Sequence, residues 1–139
     1  MTIIDATNCV LGRLASIVAK RALKGEEIIL INAEKAVIVG NEQKIVEKFG
    51  KWLKMAPKGN PKKGPKFSRM PDRLVRRTIR GMLPWKQPKG KMAFRKIKVY
   101  MKKPSNIKDS EIEVIESVLN KQKKIISVAE LSRKLGAKW

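Results

Sequence analysis

Hydrophobic and polar positions recur along the chain in two periods, and each switch between them marks an element. Residues 2–6, TIIDA, read as a short apolar strand ending in turn chemistry. Leu11, Leu14, Ala15, Val18 and Ala22 then repeat at helical spacing, with Thr7 or Asn8 placed to cap that helix and Gly25 to stop it. Arg13, Lys20, Arg21 and Lys24 lie off its apolar stripe. Residues 26–32, EEIILIN, form a nearly continuous apolar run, the pattern of a strand covered on both faces of a parallel sheet. A second β-rich run covers 36–39, and Gly40-Asn41 turns the chain into a helix over 42–55. Strand, helix, strand, strand, helix predicts a layered α/β fold.

The pattern then changes. Residues 56–71 are punctuated by proline and glycine and studded with lysine, so they form neither helix nor strand. Too little chain remains for this to be a linker between two domains, and an extended loop that orders on RNA fits better. Stretched out, its first eleven residues reach about 35 Å. Residues 71–84 return to helical spacing, with Pro71 in the first turn, Asp72 near the positive end, and Gly81 and Pro84 marking the stop. Arg73, Arg76, Arg77 and Arg80 fall on one stripe of it; Leu74, Val75, Ile79 and Met82 fall on the other side. Residues 82–91 are a second basic loop carrying Trp85. Residues 92–100 begin as a helical turn and pass into a strand, predicted to be the last of the sheet. Beyond a turn at 104–106, Ile112, Ile115, Val118 and Leu119 predict a helix, and Ser127 opens a closing helix over 128–135 that Gly136 stops. Residues 105–139 are thus expected to be a helical extension of a single domain spanning 1–139.

Charge sharpens this picture. The formal net charge is +21, and residues 51–103 hold 19 of the 33 Lys+Arg against one acidic residue, Asp72. Self-repulsion of this size is relieved by an anionic partner. A solvated helical face mixes signs; this one has no acid after Asp72, and arginine fills all four places, whose planar fork suits phosphate. Histidine is absent and Cys9 is the one cysteine, which removes the commonest general base, a Cys/His zinc site and an internal disulfide, and agrees with a reducing, cytosolic compartment. No cofactor, metal or small-molecule substrate is expected. Asp5 reads as a turn former or helix-start partner rather than a catalytic acid. Gly40-Asn41 lacks the further glycines and the Gly-Lys-Ser/Thr ending of a phosphate loop. No apolar run approaches the ~20 residues that span a bilayer, and the first residues lack the features of a signal peptide. Phe67, between basic residues, suits either stacking on a base or a place in the core. Trp139 suits a surface cap or a dock on RNA or a neighbour.

Several short motifs then coincide. Asp5-Ala6, Leu11-Gly12-Arg13-Leu14-Ala15-Ser16, Asn32-Ala33-Glu34-Lys35 and Val39-Gly40-Asn41 stand in an order and spacing that resembles the universal large-subunit ribosomal protein L13 family. So do Arg80-Gly81-Met82-Leu83-Pro84, the stretch Gly90…Ala93-Phe94-Arg95, and Lys98-Val99-Tyr100. The resemblance covers about residues 2–104. The direct passage from Gly25 into the second strand and the stretch 64–71 look like the archaeal–eukaryotic branch, with Lys66 and Ser68 where relatives often carry histidine. The resemblance implies an α/β fold of three layers, α/β/α, around a small, about four-stranded, mainly parallel sheet with extended basic loops. It also implies binding to large-subunit rRNA, contact with neighbouring ribosomal proteins, an early role in subunit assembly on cytoplasmic ribosomes, and no catalysis. The candidate RNA-binding residues are Arg13, Lys58, Lys62, Lys63, Lys66, Arg69, Arg73, Arg76, Arg77, Arg80, Trp85, Lys86, Lys89, Lys91, Arg95 and Lys96. Competing readings are an RNA-modifying or nucleotide-dependent enzyme, which would need a cofactor loop, and a free nucleic-acid binder such as a DNA-compacting protein. A membrane-surface role suits the helix least, because its apolar side lacks Trp and Phe anchors.

Overall fold

The computed structural model describes residues 1–107, 112–115 and 124–139. Its centre is a parallel sheet of four short strands in the order β4-β2-β1-β5. These are β1 (Thr2–Asp5), β2 (Ile28–Ile31), β4 (Ile97–Val99) and β5 (Ile112–Val114). Register pairs Ile4 with Leu30, Ile28 with Ile97 and Leu30 with Val99, so these side chains share one face of the pleat. That face is covered by α1 (Leu11–Leu23) and α3 (Pro71–Gly81), whose Leu14, Val18, Val75 and Ile79 join the same core cluster. Ile3 and Ile31 alternate onto the opposite face and are buried there too, as the continuous apolar run of β2 requires. A separate antiparallel pair joins β3 (Val37–Val39) to β6 (Ile125–Ser127). The remaining helices are α2 (Glu42–Lys54), α4 (Pro88–Arg95) and α5 (Val128–Lys134). This agrees with the expected three-layer α/β arrangement.

Four details depart from the sequence reading. Ile112 lies in β5, parallel to β1, and not in a helix; Ile-Glu-Val-Ile satisfies period two as well as the start of a helical stripe, and the open edge of β1 decides between them. Val118 and Leu119 lie outside the described residues. The strand after α4 is therefore not the last of the sheet, and the C-terminal part contributes two strands as well as α5. Neither Thr7 nor Asn8 caps α1. Its N-cap is Val10, with no side-chain cap, because Thr7 is engaged by Asp5 and Asn8 takes a left-handed turn at φ 55°. Lastly, the second basic loop is shorter than expected: Pro88 occupies the first helical position of α4, where its missing N–H leaves no bond unmade.

Capping chemistry fixes the other junctions. Asn41 accepts a hydrogen bond from the Gln43 amide and starts α2, which accounts for the Gly40-Asn41 turn without a nucleotide. Ser127 accepts from the Glu130 amide to start α5, and Gly136 at φ 87° ends it. Asp5 is the turn former after β1, its Oδ1 accepting from the Thr7 amide (2.9 Å), the Thr7 hydroxyl (2.7 Å) and Asn32 Nδ2 (3.1 Å). Arg21 of α1 holds the edge strand β5 by a two-pronged pair to Glu113, at 2.6 and 2.7 Å.

Replacing the fully buried Ile79 by alanine should remove about 2–5 kcal/mol of unfolding free energy in urea titrations. At the turn after β1, burial pushes the Asp5 carboxyl upward, but the bonds from Thr7 and Asn32 and the nearby Lys35 outweigh it and hold the group below the usual aspartate value. Its contribution is therefore present above the ordinary aspartate pKa and is lost as pH falls through the lower folded value. Urea midpoints measured down that acid range should fall less steeply for Asp5→Asn than for the parent chain.

Candidate nucleic-acid interface

The stripe of arginines sits on α3 because the other side of that helix is locked into the core. Pro71, Leu74, Val75 and Ile79 are buried, leaving Arg73 and Arg76 exposed and Arg77 and Arg80 half-buried. Met82, expected on the apolar side, is 42% exposed just past the helix end. The four guanidiniums do not simply project together. Three of them lie over aromatic rings supplied by neighbouring segments, and only Arg73 has no such ring among the described residues. Arg76 stands 4.6 Å from the centre of Phe94, Arg77 3.8 Å from Phe67, and Arg80 5.2 Å from Trp85. Each such pairing is worth about 0.5–2 kcal/mol and holds a flexible side chain in one orientation.

The rings are themselves joined. Phe67 stacks on Trp52 of α2 at 5.8 Å, and Trp85 meets Phe94 edge-to-face at 5.1 Å and 88°. Phe67 is half-buried between Trp52 and Arg77, and this burial favours its packing role over stacking on a base. α2 itself buries no residue completely. Between it and α1 and α3 lies a cavity of about 580 Å³, lined by Leu11, Ile38, Phe49, Trp52, Phe67 and Arg77 among others. Burial first, and the adjacent Arg80 second, hold the Arg77 guanidinium below its ordinary pKa. A neighbouring anion would oppose both effects.

The remaining candidates come from the flanking segments. Lys58, Lys62, Lys63, Lys66 and Arg69 are exposed along 56–70, an extended segment interrupted by one turn of 3-10 helix at Pro61–Lys63. Its end is anchored: the Ser132 hydroxyl donates to the Arg69 carbonyl at 2.6 Å and accepts from Trp139 Nε1 at 3.0 Å. Trp139 therefore caps α5 and the loop, with Arg133 over its ring. Trp85, Lys86, Lys89, Lys91 and Arg95 are exposed on the second loop and α4, and Arg13 is exposed on α1. Lys96 differs from the others, because its ammonium donates to the Gly25 carbonyl at 2.9 Å and ties β4 to the end of α1. Sequence reasoning missed Phe94 as a partner of Arg76. Its signal was present, an aromatic residue directly before Arg95 in a basic segment. Among the described residues no group of His, Cys, Asp and Glu could hold a metal ion, and no helix is long and apolar enough to cross a membrane.

The family model for ribosomal protein L13 matches residues 1–106. The chain belongs to the ribosomal protein L13 family. It is 50% identical, over the whole of both chains, to a protein of Methanocaldococcus jannaschii named large ribosomal subunit protein uL13. It is 46% identical to the protein of that name from Methanopyrus kandleri, covering 97% of this chain and 86% of the relative. A third relative so named, from Methanococcus maripaludis, is 46% identical over the full length of both. These relatives are archaeal, in line with the branch to which residues 64–71 point, and none of their names describes an enzyme. The match of the L13 model ends close to where β5 and the closing elements begin.

Arg77, half-buried with its guanidinium over Phe67, and Arg73, exposed and with no such ring among the described residues, separate two roles on one helix. Arg77→Ala should lower the unfolding free energy by about 1 kcal/mol, whereas Arg73→Ala should stay within about 0.5 kcal/mol of the parent. Both remove one positive charge, so the difference in urea midpoint at fixed ionic strength isolates the packing.

Proposed function

We propose that this L13-family chain is a structural constituent of the large ribosomal subunit that binds large-subunit rRNA and acts early in assembly of that subunit. The observation that carries the reading is the full-length likeness to proteins named for the large subunit, joined to a middle third whose basic groups have almost no acidic counterpart. Arg73, Arg76 and Arg80 grip phosphates from a helix that the core holds still. The exposed lysines of 56–70 and the basic groups around Trp85 lie between RNA elements and neutralise backbones that would otherwise repel. The whole chain acts as one domain, on cytoplasmic ribosomes, beside other ribosomal proteins. Arg77 and Lys96 serve the protein's own frame first. RNA is recognised by shape and unpaired features rather than by a base code, as an irregular basic loop suits folded RNA better than a regular groove.

Sedimentation of a lysate through a sucrose gradient tests this. The chain should travel with the large subunit and remain there through moderate salt; a chain that stays at the top as free protein overturns the assignment. With isolated large-subunit rRNA, the Arg73/Arg76/Arg80→Ala variant should bind more weakly. Its log affinity should also fall less steeply with log salt, by roughly 0.7–0.9 for each phosphate that the variant no longer neutralises.

A further inference from the structure

Trp85 is 40% exposed, although it lies in a loop that is held rigidly. Its amide donates to the Leu83 carbonyl at 2.7 Å, and the Gln87 amide donates to the Pro84 carbonyl at 3.0 Å. Gly90 packs so closely under this turn that a Cβ there would stand 2.1 Å from the Pro84 carbonyl oxygen, so the first turn of α4 and the loop are fixed against each other. Phe94 meets the indole in a perpendicular, edge-to-face contact and Arg80 lies over the ring. No acidic residue occurs anywhere in 81–100. An apolar ring kept partly open to solvent, pre-oriented and set among cations, is the arrangement that stacks a nucleobase while its flanking phosphates meet basic side chains.

We infer that Trp85, bracketed by Arg80 and Phe94, is a stacking platform for one unpaired RNA base, with Arg80 and Lys86 on the adjoining phosphates. The inference rests on the rRNA-binding reading and deepens it: here the protein takes a base out of the RNA's own stack, beyond neutralising its backbone. A Trp that merely capped the α3–α4 turn would contribute to stability and nothing to base contact.

The test uses the full chain with Trp52→Phe and Trp139→Phe, so that Trp85 is the one indole reporter. The probes are a decameric oligouridylate and an abasic ribose-phosphate decamer of equal charge. The platform predicts that oligouridylate quenches Trp85 fluorescence and the abasic oligomer does not. It also predicts that Trp85→Leu weakens oligouridylate binding by about 5- to 150-fold, leaves abasic binding and the salt slope unchanged, and is largely rescued by Trp85→Tyr. Equal binding of the two oligomers, or equal oligouridylate affinity for the parent and Trp85→Leu, overturns the platform. If that happens while the parent still sediments with the large subunit, the platform alone falls. If the parent does not sediment with it, the rRNA reading falls as well.

Discussion

Repulsion among like charges is the constraint on which the rest of this molecule depends. Residues 51–103 concentrate nearly all of the net charge, and folding brings that charge closer together. A chain so composed folds alone only if burial elsewhere exceeds the repulsion. The parallel sheet meets that need economically. β1 and β2 carry apolar side chains on both faces, and α1 and α3 seal one of them with small and branched residues. The apolar side of α3 is thus a structural element, and its cationic side is carried on it.

The Arg–aromatic contacts reconcile the two sides of α3. A guanidinium set over a ring is partly desolvated yet stays charged, and its delocalised plane tolerates this better than an ammonium would. Phe67, Phe94 and Trp85 come from three different segments, so the same contacts that orient the arginines also tie the basic loops to the helix. Lysines, by contrast, populate the exposed positions of 56–70, where a hydrated point charge on a flexible stem needs no fixed geometry. Near the opposite end of the chain, Ser132 and Trp139 anchor the same loop at Arg69, which gives the segment beyond the L13 match a structural reason to be present.

Much of this was legible in the residues. The spacing of Leu11, Leu14, Ala15, Val18 and Ala22, and of the four arginines on α3, needed only the helical period. The strand-to-helix turn at Gly40-Asn41 and the cap at Ser127 needed only side-chain hydrogen-bonding chemistry. What escaped depended on tertiary choice. Ile112–Val114 reads as helix or strand until β1 offers an open edge, and Thr7 reads as a cap until Asp5 takes its hydroxyl. The division of labour among the arginines was also invisible, because it depends on burial and on rings that lie 5 to 18 residues away in sequence. The L13 resemblance supplied the ribosomal context; charge and periodicity alone reach a basic nucleic-acid-binding α/β domain.

The balance between burial and repulsion is read from the melting temperature of the free protein in rising salt, and again at low salt with large-subunit rRNA added. If a packed neutral frame carries an unrelieved cationic surface, screening by salt should raise Tm by several degrees, and the RNA should raise it at low salt without any added ions. A Tm that stays level or falls with salt, and is indifferent to the RNA, would contradict this picture.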